Sequence, residues 1–243
     1  MTMLLQLAFL FFMGSVIGWG LEVLFRRFVS YTNPERKWIN PGFCTGPYLP
    51  LYGFCLCALY LIASLENMIP IERSFWNKTV LFLVMTACMT LIEYISGVFA
   101  LKILKVRLWD YSNEWGNLQG IICPRFSAIW AILGAVYYFM IHPFIKTALI
   151  WLSHNLTFSF FIGMFFGVFF IDVAHSAQLV AKLKKFAEEN NVIVRYETFK
   201  EGIRTSYTAS AKKYRFFRPL HSNRPLPDIL KDIRDSFEHR KKN

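Results

Sequence analysis

Five long apolar runs, separated by shorter polar segments, dominate the hydropathy pattern of the chain. Each run reaches or approaches the about 20 helical residues that cross the hydrocarbon core of a bilayer. The pattern therefore predicts an all-α polytopic membrane protein with five transmembrane helices. The predicted helices are Leu4 to Phe25, Leu49 to Leu65, Val80 to Leu101, Phe126 to Ile145 and Ala148 to Ile171.

The pattern also predicts how the chain is divided. No comparable apolar run follows Ile171, so we expect a transmembrane domain over residues 1–173 and a basic cytoplasmic tail over 174–243. The first run lacks a preceding Lys or Arg and a following small-x-small cleavage site. We therefore expect it to be retained as a helix, since a cleaved signal peptide has both features.

Basic residues are concentrated in alternate connections, and this asymmetry predicts the orientation. The opposite connections hold only Arg73, Lys78 and Lys146. By the positive-inside rule, the N-terminus lies outside and the tail lies in the cytoplasm of a multi-pass cell-membrane protein. The first-to-second and third-to-fourth connections carry Arg26, Arg27, Arg36, Lys37, Lys102, Lys105, Arg107 and Arg125.

The tail holds most of the net charge of +11, with sixteen basic against eight acidic residues in 174–243. The charge suits membrane topology and contact with anionic lipid, so we expect a lipid bilayer and no nucleic acid as partner. Ala174 to Ala187 is expected to continue the fifth helix. Lys212 to Arg218 interleaves basic and aromatic residues, a composition suited to docking on a membrane surface.

Hydrophobic residues make up 55% of the chain and charged residues 18%, which is too apolar for an ordinary soluble domain. None of the five cysteines has metal-binding spacing with a second Cys or His pair. The chain also lacks the Gly-rich phosphate-binding motif of an ATPase. We predict no cofactor and leave the presence of a metal open.

Two carboxylates, Glu22 and Glu93, interrupt apolar runs. A charge at the bilayer centre costs on the order of 2.5 to 3.5 kcal/mol on insertion scales, so such residues normally face protein or a water-filled cavity. Glu22 shares a helix face with Gly14 and Gly18, at four-residue intervals that favour close helix packing. We expect both carboxylates to face one polar cavity on the cytoplasmic side.

The segment from Asn40 to Gly53 holds three prolines and three glycines, including Gly42 and Pro47. Its start cannot be a regular helix, and we expect a re-entrant or interfacial loop that leads to Tyr52. Irregular backbone at membrane depth is tolerated where it lines a cavity. A simple turn is the alternative.

A second loop mixes aromatic anchors with hydrogen-bonding groups before the fourth helix. Aromatic residues favour the membrane interface, and Asp110 could cap a turn or pair with Arg125. Asp172 lies at the cytoplasmic end of the fifth run. Together with the carboxylates and the first loop, the expected cleft comprises Glu22, Asn40, Gly42, Pro47, Tyr52, Glu93, Trp109, Asp110, Tyr111, Asn117, Arg125 and Asp172.

These motifs together resemble a bacterial membrane family described as ABC-transporter type IV permeases. The resemblance covers about Phe11 to Gly134 and departs from the family pattern at Leu101, where an acidic residue is expected, and at Ile121, where Arg is expected. It rests on Asn40-x-Gly42-Phe43-x-x-Gly46-Pro47-x-x-Pro50-x-Tyr52-Gly53, then Glu93-Tyr94, Trp109-Asp110-Tyr111-Ser112, Asn117, Gly120 and Ile122-Cys123.

The resemblance implies a permease subunit served by a separate ATPase, with Lys102 to Trp115 as a candidate coupling helix. The resemblance therefore favours a transport protein over an enzyme. An intramembrane enzyme acting on a lipid is the alternative, with paired carboxylates for acid–base work or metal binding. Asp172 and His175, one helical turn apart, are a thin basis for catalysis. A third hypothesis, an adaptor that recruits a partner through its tail, leaves the intramembrane carboxylates unexplained.

Overall fold

The computed structural model describes residues 2–30, 33–66, 74–189 and 193–196 and the single positions 199, 228 and 232. This part of the chain is mostly helical, which confirms the predicted all-α class. The helices are α1 Met3–Phe28, α2 Pro50–Ser64, α3 Ser74–Lys102, α4 Pro124–Val136, α5 His142–His154 and α6 Ser159–Glu189, with a π-helical turn at Tyr137–Ile141 and a 3-10 turn at Leu156–Phe158.

Four helical segments are long and apolar enough to cross a membrane, so the protein is a multi-pass membrane protein. They are Met3–Phe28, Lys78–Lys102, Pro124–His154 and Leu156–Glu189. The remaining apolar helix, α2, has 15 residues. At 1.5 Å per residue it extends about 22 Å, less than the about 30 Å of a hydrocarbon core. The fifth span therefore stays a prediction.

The predicted boundary between the last two helices is wrong. The sequence suggested a break between Ile145 and Ala148, but α5 continues through Lys146 to His154, and α6 begins at Ser159. A single Lys does not interrupt a helix whose backbone remains hydrogen-bonded. At its other end α6 runs to Glu189, so the expected continuation of the last helix over Ala174 to Ala187 is confirmed.

The chain divides into two compact units. Unit 1 comprises Met1–Gly18, Leu49–Ser96 and Asp110–Val168. One of its apolar clusters surrounds Met85 and Trp130, and a second surrounds Leu10 and Leu152.

Two glycines of α1 let α2 approach closely within unit 1, as their spacing predicts. A Cβ atom on Gly14 would lie 2.9 Å from Leu56 Cβ, and one on Gly18 would lie 2.2 Å from Tyr52 Cγ. Gly163 and Gly167 of α6, also four residues apart, behave differently, because a Cβ on either would meet no described atom within 4 Å.

Unit 2 comprises Trp19–Tyr48, Gly97–Trp109 and Phe169–Asn243. Strand β1, Val106–Arg107, pairs in parallel with strand β2, Val194–Arg195. The candidate coupling helix at Lys102 to Trp115 is wrong, because α3 ends at Lys102 and the chain continues into turns and β1. The buried cluster of this unit is Val106, Val180, Leu183, Ala187, Val194, Tyr196 and Phe199.

Unit 2 brings together three segments that the charge pattern groups on one side. The parallel strands connect the segment after α3 with the segment after α6. Tyr196 donates a hydrogen bond of 3.0 Å to the Phe43 carbonyl, and burial raises the pKa of this phenol so that it remains a donor. The basic–aromatic segment Lys212 to Arg218 lies outside the described residues.

Candidate functional site

Glu93 is a buried carboxylate in α3, with 3% of its surface exposed. Trp130 Nε1 on α4 donates to Glu93 Oε2 at 2.9 Å, and the Tyr111 hydroxyl donates to Glu93 Oε1 at 3.2 Å. Each carboxylate oxygen thus has an aromatic side chain as donor. Two donors from different elements fix the orientation of the carboxylate inside unit 1.

The loop before α4 is folded so that Tyr111 reaches Glu93. Its ring stacks on Phe126 with centroids 4.2 Å apart and planes 9° apart, and its backbone N–H bonds to the Gly120 carbonyl at 2.9 Å. Gly120 has φ +66°, a left-handed conformation that glycine adopts without steric cost. The tight turn therefore positions the Tyr111 phenol at Glu93.

Asp110 and Asn117 stabilise this loop from within. Asp110 Oδ1 accepts from the Ser112 backbone N–H at 3.1 Å and from the Ser112 hydroxyl at 2.5 Å. Asn117 donates to the Glu114 carbonyl at 2.9 Å and accepts from the Gly120 N–H at 3.0 Å. Both side chains act as local turn residues, as Asx groups commonly do.

Arg125 pairs with Glu114 at 3.1 Å, so the alternative in which it pairs with Asp110 is not what the structure shows. The arginine side chain is 58% exposed, and such an ion pair contributes little stability.

Tyr52 packs on Trp130, with ring centroids 5.3 Å apart. Trp130 donates to Glu93, so the predicted site residue Tyr52 contacts one of the two donors of that carboxylate.

Asp172 forms a second carboxylate site, in unit 2. Its Oδ1 accepts from the Thr45 N–H at 3.2 Å and from the Ser176 hydroxyl at 3.3 Å. Its Oδ2 accepts from the Gly46 N–H at 2.8 Å and from the Tyr48 hydroxyl. Burial and then the bond to Asp172 raise the pKa of Tyr48, which keeps the phenol protonated as a donor.

Asn40 organises the loop that surrounds Asp172. This buried amide accepts from Trp19 Nε1 at 2.8 Å and donates to the Thr45 carbonyl at 2.9 Å. Gly42 has φ +86°, which only glycine adopts readily, and Pro47 is exposed. The predicted irregular loop is thus an ordered structure whose N–H groups point at a carboxylate on α6.

Glu22 is placed differently from the other two carboxylates. Its Oε1 accepts from Arg26 Nε at 2.9 Å within α1, and its side chain is 22% exposed. It belongs to unit 2, as does Trp109, whereas Glu93 belongs to unit 1. The shared cavity expected for Glu22 and Glu93 stays a prediction.

Sequence reasoning missed several of the donors that hold the two carboxylates. Trp130, Trp19 and Tyr48 are polar partners in the structure, but in the sequence they look like ordinary aromatic residues of an apolar or interfacial segment. The signal that could have found Trp130 is chemical, because a buried indole N–H usually has a hydrogen-bond acceptor.

Within the described ranges, no group of three or more His, Cys, Asp or Glu side chains is arranged to hold a metal ion. Indole, hydroxyl and backbone N–H groups donate to Glu93, which is buried, and to Asp172, which is half-buried. Donors of this kind stabilise a negative charge without neutralising it. Such sites can attract a cation or exchange a proton.

Comparison with known protein families gives a match that includes every residue of both carboxylate sites. No curated protein and no solved structure matches the chain. Residues 9–177, which make up more than half of the chain, match the family described as Putative ABC-transporter type IV. Glu93 and Asp172, with the donors that surround them, all fall in this range, and the chain belongs to that family.

Proposed function

We propose that the protein is the permease-like membrane subunit of a transport system and that Glu93 is the carboxylate that handles a cation or a proton. The observation that carries the proposal is the position of Glu93, buried in a membrane-length helix and held by Trp130 and Tyr111. Carboxylates at such depth are costly and mark ion pathways or proton relays.

The two aromatic donors suit a reversible site. Both donors are neutral, so they orient the carboxylate and stabilise its charge without competing as cations for the site. Pre-organised groups of this kind lower the cost of ordering the site when the ligand arrives.

Asp172 has a different role in this proposal. Four donors, two of them backbone N–H groups, converge on its carboxylate. We propose that it holds the Asn40–Tyr48 loop against α6 and does not itself carry substrate.

The charge distribution supports an orientation with the basic connections of unit 2 on the cytoplasmic side. This unit contains the basic residues of both positive connections except Arg125, and also the start of the tail. Positively charged connections remain on the cytoplasmic side, so we propose an external N-terminus. An active external reporter fused after Glu189 would contradict this orientation.

The energy source would be a separate subunit. The chain lacks a phosphate-binding loop motif, so an ATPase partner, as the family description suggests, would have to dock on the cytoplasmic side. The alternative of a lipid-modifying enzyme gains no specific support from the site. Asp172, its best acid–base candidate, bonds through both oxygens to the loop and to Ser176.

Electrical recordings on proteoliposomes test the proposal. The full chain is reconstituted and exposed to concentration jumps of protons, Na⁺, K⁺ and ammonium, with and without a co-purified ATPase. We expect a current with at least one of these cations. Glu93→Gln should abolish it and Glu93→Asp should retain part of it, because the shorter carboxylate keeps the charge but loses the aromatic bonds.

Glu188→Gln is the matched control, because Glu188 is an exposed carboxylate that forms an ion pair of 3.8 Å with Lys184 outside the Glu93 site. It should leave the current unchanged. If wild type shows no current with any of the four cations, or if Glu93→Gln carries the wild-type current, Glu93 does not handle a cation in this protein.

A further inference from the structure

A single π-helical turn joins α4 to α5 in unit 1, at Tyr137–Ile141. Pro143 follows directly after the first residue of α5 and has no backbone N–H for the carbonyl of Phe139, four residues earlier. The N–H of His142 bonds to the carbonyl of Tyr137, five residues back. Single π turns inside helices frequently occur at functional sites, so the side chains at this turn require an explanation.

The π turn pairs two side chains that an α-helix would separate. In an α-helix, neighbours on one face are three or four residues apart, and residues five apart do not meet. Here the Tyr137 hydroxyl lies 2.9 Å from His142 Nδ1. The pair therefore depends on the altered helical geometry, and a regular helix would break it.

The other ring nitrogen of His142 is buried without a partner. The residue is 5% exposed, and within the described part of the chain its Nε2 has no hydrogen-bond partner. Buried polar groups in proteins are nearly always hydrogen-bonded. An orphan nitrogen next to a π turn is the combination expected where a group binds transiently.

Titratable groups of α5, of α2 and of the residues just after α2 lie near this imidazole or act on it electrostatically. Glu66, just after α2, and Lys146, one turn further along α5, act on it electrostatically with opposite signs. The ring of Tyr60 in α2 lies 6.2 Å from the imidazole, centroid to centroid. The ring thus has an acidic neighbour, a basic neighbour and two phenols, Tyr60 and Tyr137.

We propose that His142 is a reversible proton-binding site of the membrane domain. A proton from water adds to the lone pair of the ring nitrogen that carries no hydrogen, and the product is an imidazolium with N–H groups at both positions. Tyr137 supports both states, because its hydroxyl can donate to the neutral ring or accept from the charged one. Glu66 favours the charged ring, and Lys146 opposes it.

The site is separate from Glu93 and does not depend on the transport role proposed for that residue. Nuclear magnetic resonance of the full chain in lipid nanodiscs, with ¹⁵N-labelled histidine, tests it directly. The chain has five histidines, and His142→Gln identifies the signals of His142 by their loss. On titration from about pH 8 to about pH 4, we expect these signals to change reversibly from the neutral to the imidazolium pattern.

Three variants test the assigned neighbours. Glu66→Gln should lower the titration midpoint by about one pH unit, because it removes the group that favours the charged ring. Lys146→Gln should raise the midpoint, and Tyr137→Phe should move it less than either, because the hydroxyl bonds to both states of the ring. His154→Gln, a control histidine at the end of α5, should leave the His142 titration unchanged.

A His142 ring that stays neutral throughout the folded pH range would overturn the proposal. It would also be overturned if His142 titrated with the same midpoint in wild type, Glu66→Gln and Lys146→Gln, because the ring would then be responding to solvent and not to this site.

Discussion

Glu93 in unit 1 and Asp172 in unit 2 are both carboxylates on membrane-length helices, yet they are held by different kinds of donor. Glu93 is bonded by two aromatic side chains, Trp130 and Tyr111. Asp172 is bonded partly by backbone N–H groups of a loop. Because backbone N–H groups connect Asp172 to one particular loop, that arrangement suits a permanent connection, whereas the side-chain donors of Glu93 orient a carboxylate without tying it to a loop backbone and suit a reversible site.

Asp172→Ala should cause the largest loss of stability among these variants. This change leaves the buried hydroxyls of Tyr48 and Ser176 and two loop N–H groups without their acceptor. We expect a loss of about 3 kcal/mol in the free energy of unfolding, measured as a lower melting temperature in detergent. Glu188→Ala, which removes an exposed carboxylate from the same helix, should cost less than about 0.5 kcal/mol.

Asp172→Ala should also release the loop. Trypsin should then cut at Arg36 and Lys37 faster than in wild type. If the variant melts and is cleaved like wild type, Asp172 does not hold the loop, and the two carboxylates do not differ as described.

Gly18→Ala should have the next largest effect, and it tests the packing of unit 1. The added Cβ would lie 2.2 Å from Tyr52 Cγ, and Tyr52 packs against Trp130 beside Glu93. We expect a loss of about 2 kcal/mol from overpacking, seen in the melting temperature. The matched change Gly163→Ala meets no described atom within 4 Å and should be neutral or slightly stabilising. Equal melting temperatures for the two variants would contradict this difference.

Trp130→Phe removes one donor from Glu93 and keeps an aromatic ring in place. The loss of a hydrogen bond to a charged group should cost about 1.5 kcal/mol. Because the proposed function lies at Glu93, we expect the cation-dependent current to fall much more than the melting temperature. Tyr48→Phe is the matched test in unit 2, where stability should fall and the current should be retained. If Tyr48→Phe reduced the current and Trp130→Phe reduced only the stability, Asp172 would be the cation-handling carboxylate and Glu93 the structural one.

Tyr196→Phe should have the smallest effect. It removes one hydrogen bond to the Phe43 carbonyl but leaves the ring in the buried cluster of unit 2. We expect a loss of about 1 kcal/mol, measured by thermal unfolding. A larger loss than that of Asp172→Ala would mean that the tail, and not the carboxylate, is the main support of the loop.

The sequence predicts the helices well where apolar runs end at clear polar segments. Leu4 to Phe25 became α1, Met3–Phe28, and Leu49 to Leu65 became α2, Pro50–Ser64. It fails at Lys146, where the predicted helix Phe126 to Ile145 ends but α5 continues to His154. The π turn at Tyr137–Ile141 lies inside that predicted run, and hydropathy cannot reveal it because it depends on backbone bonding.

The candidate sites could be predicted only in part. Glu93 was identified because a charge in an apolar run is conspicuous, and Asp172 because it follows one. Their partners were not identifiable, since Trp130 is 37 residues from Glu93 and Tyr48 is 124 residues from Asp172. A single sequence gives no information on which distant residues meet, and aromatic residues are common in any membrane helix.

The parallel strands and the Asp172 loop have a consequence for how the protein is made. Each joins an early part of the chain to a late one, and Thr45 precedes its partner by 127 residues. At roughly 5 to 20 residues per second, the ribosome needs on the order of 6 to 25 seconds to synthesise that interval. Unit 2 therefore cannot form these contacts while α1 to α5 are being inserted. The Thr45 and Gly46 N–H groups of its loop lack their Asp172 acceptor until synthesis is nearly finished.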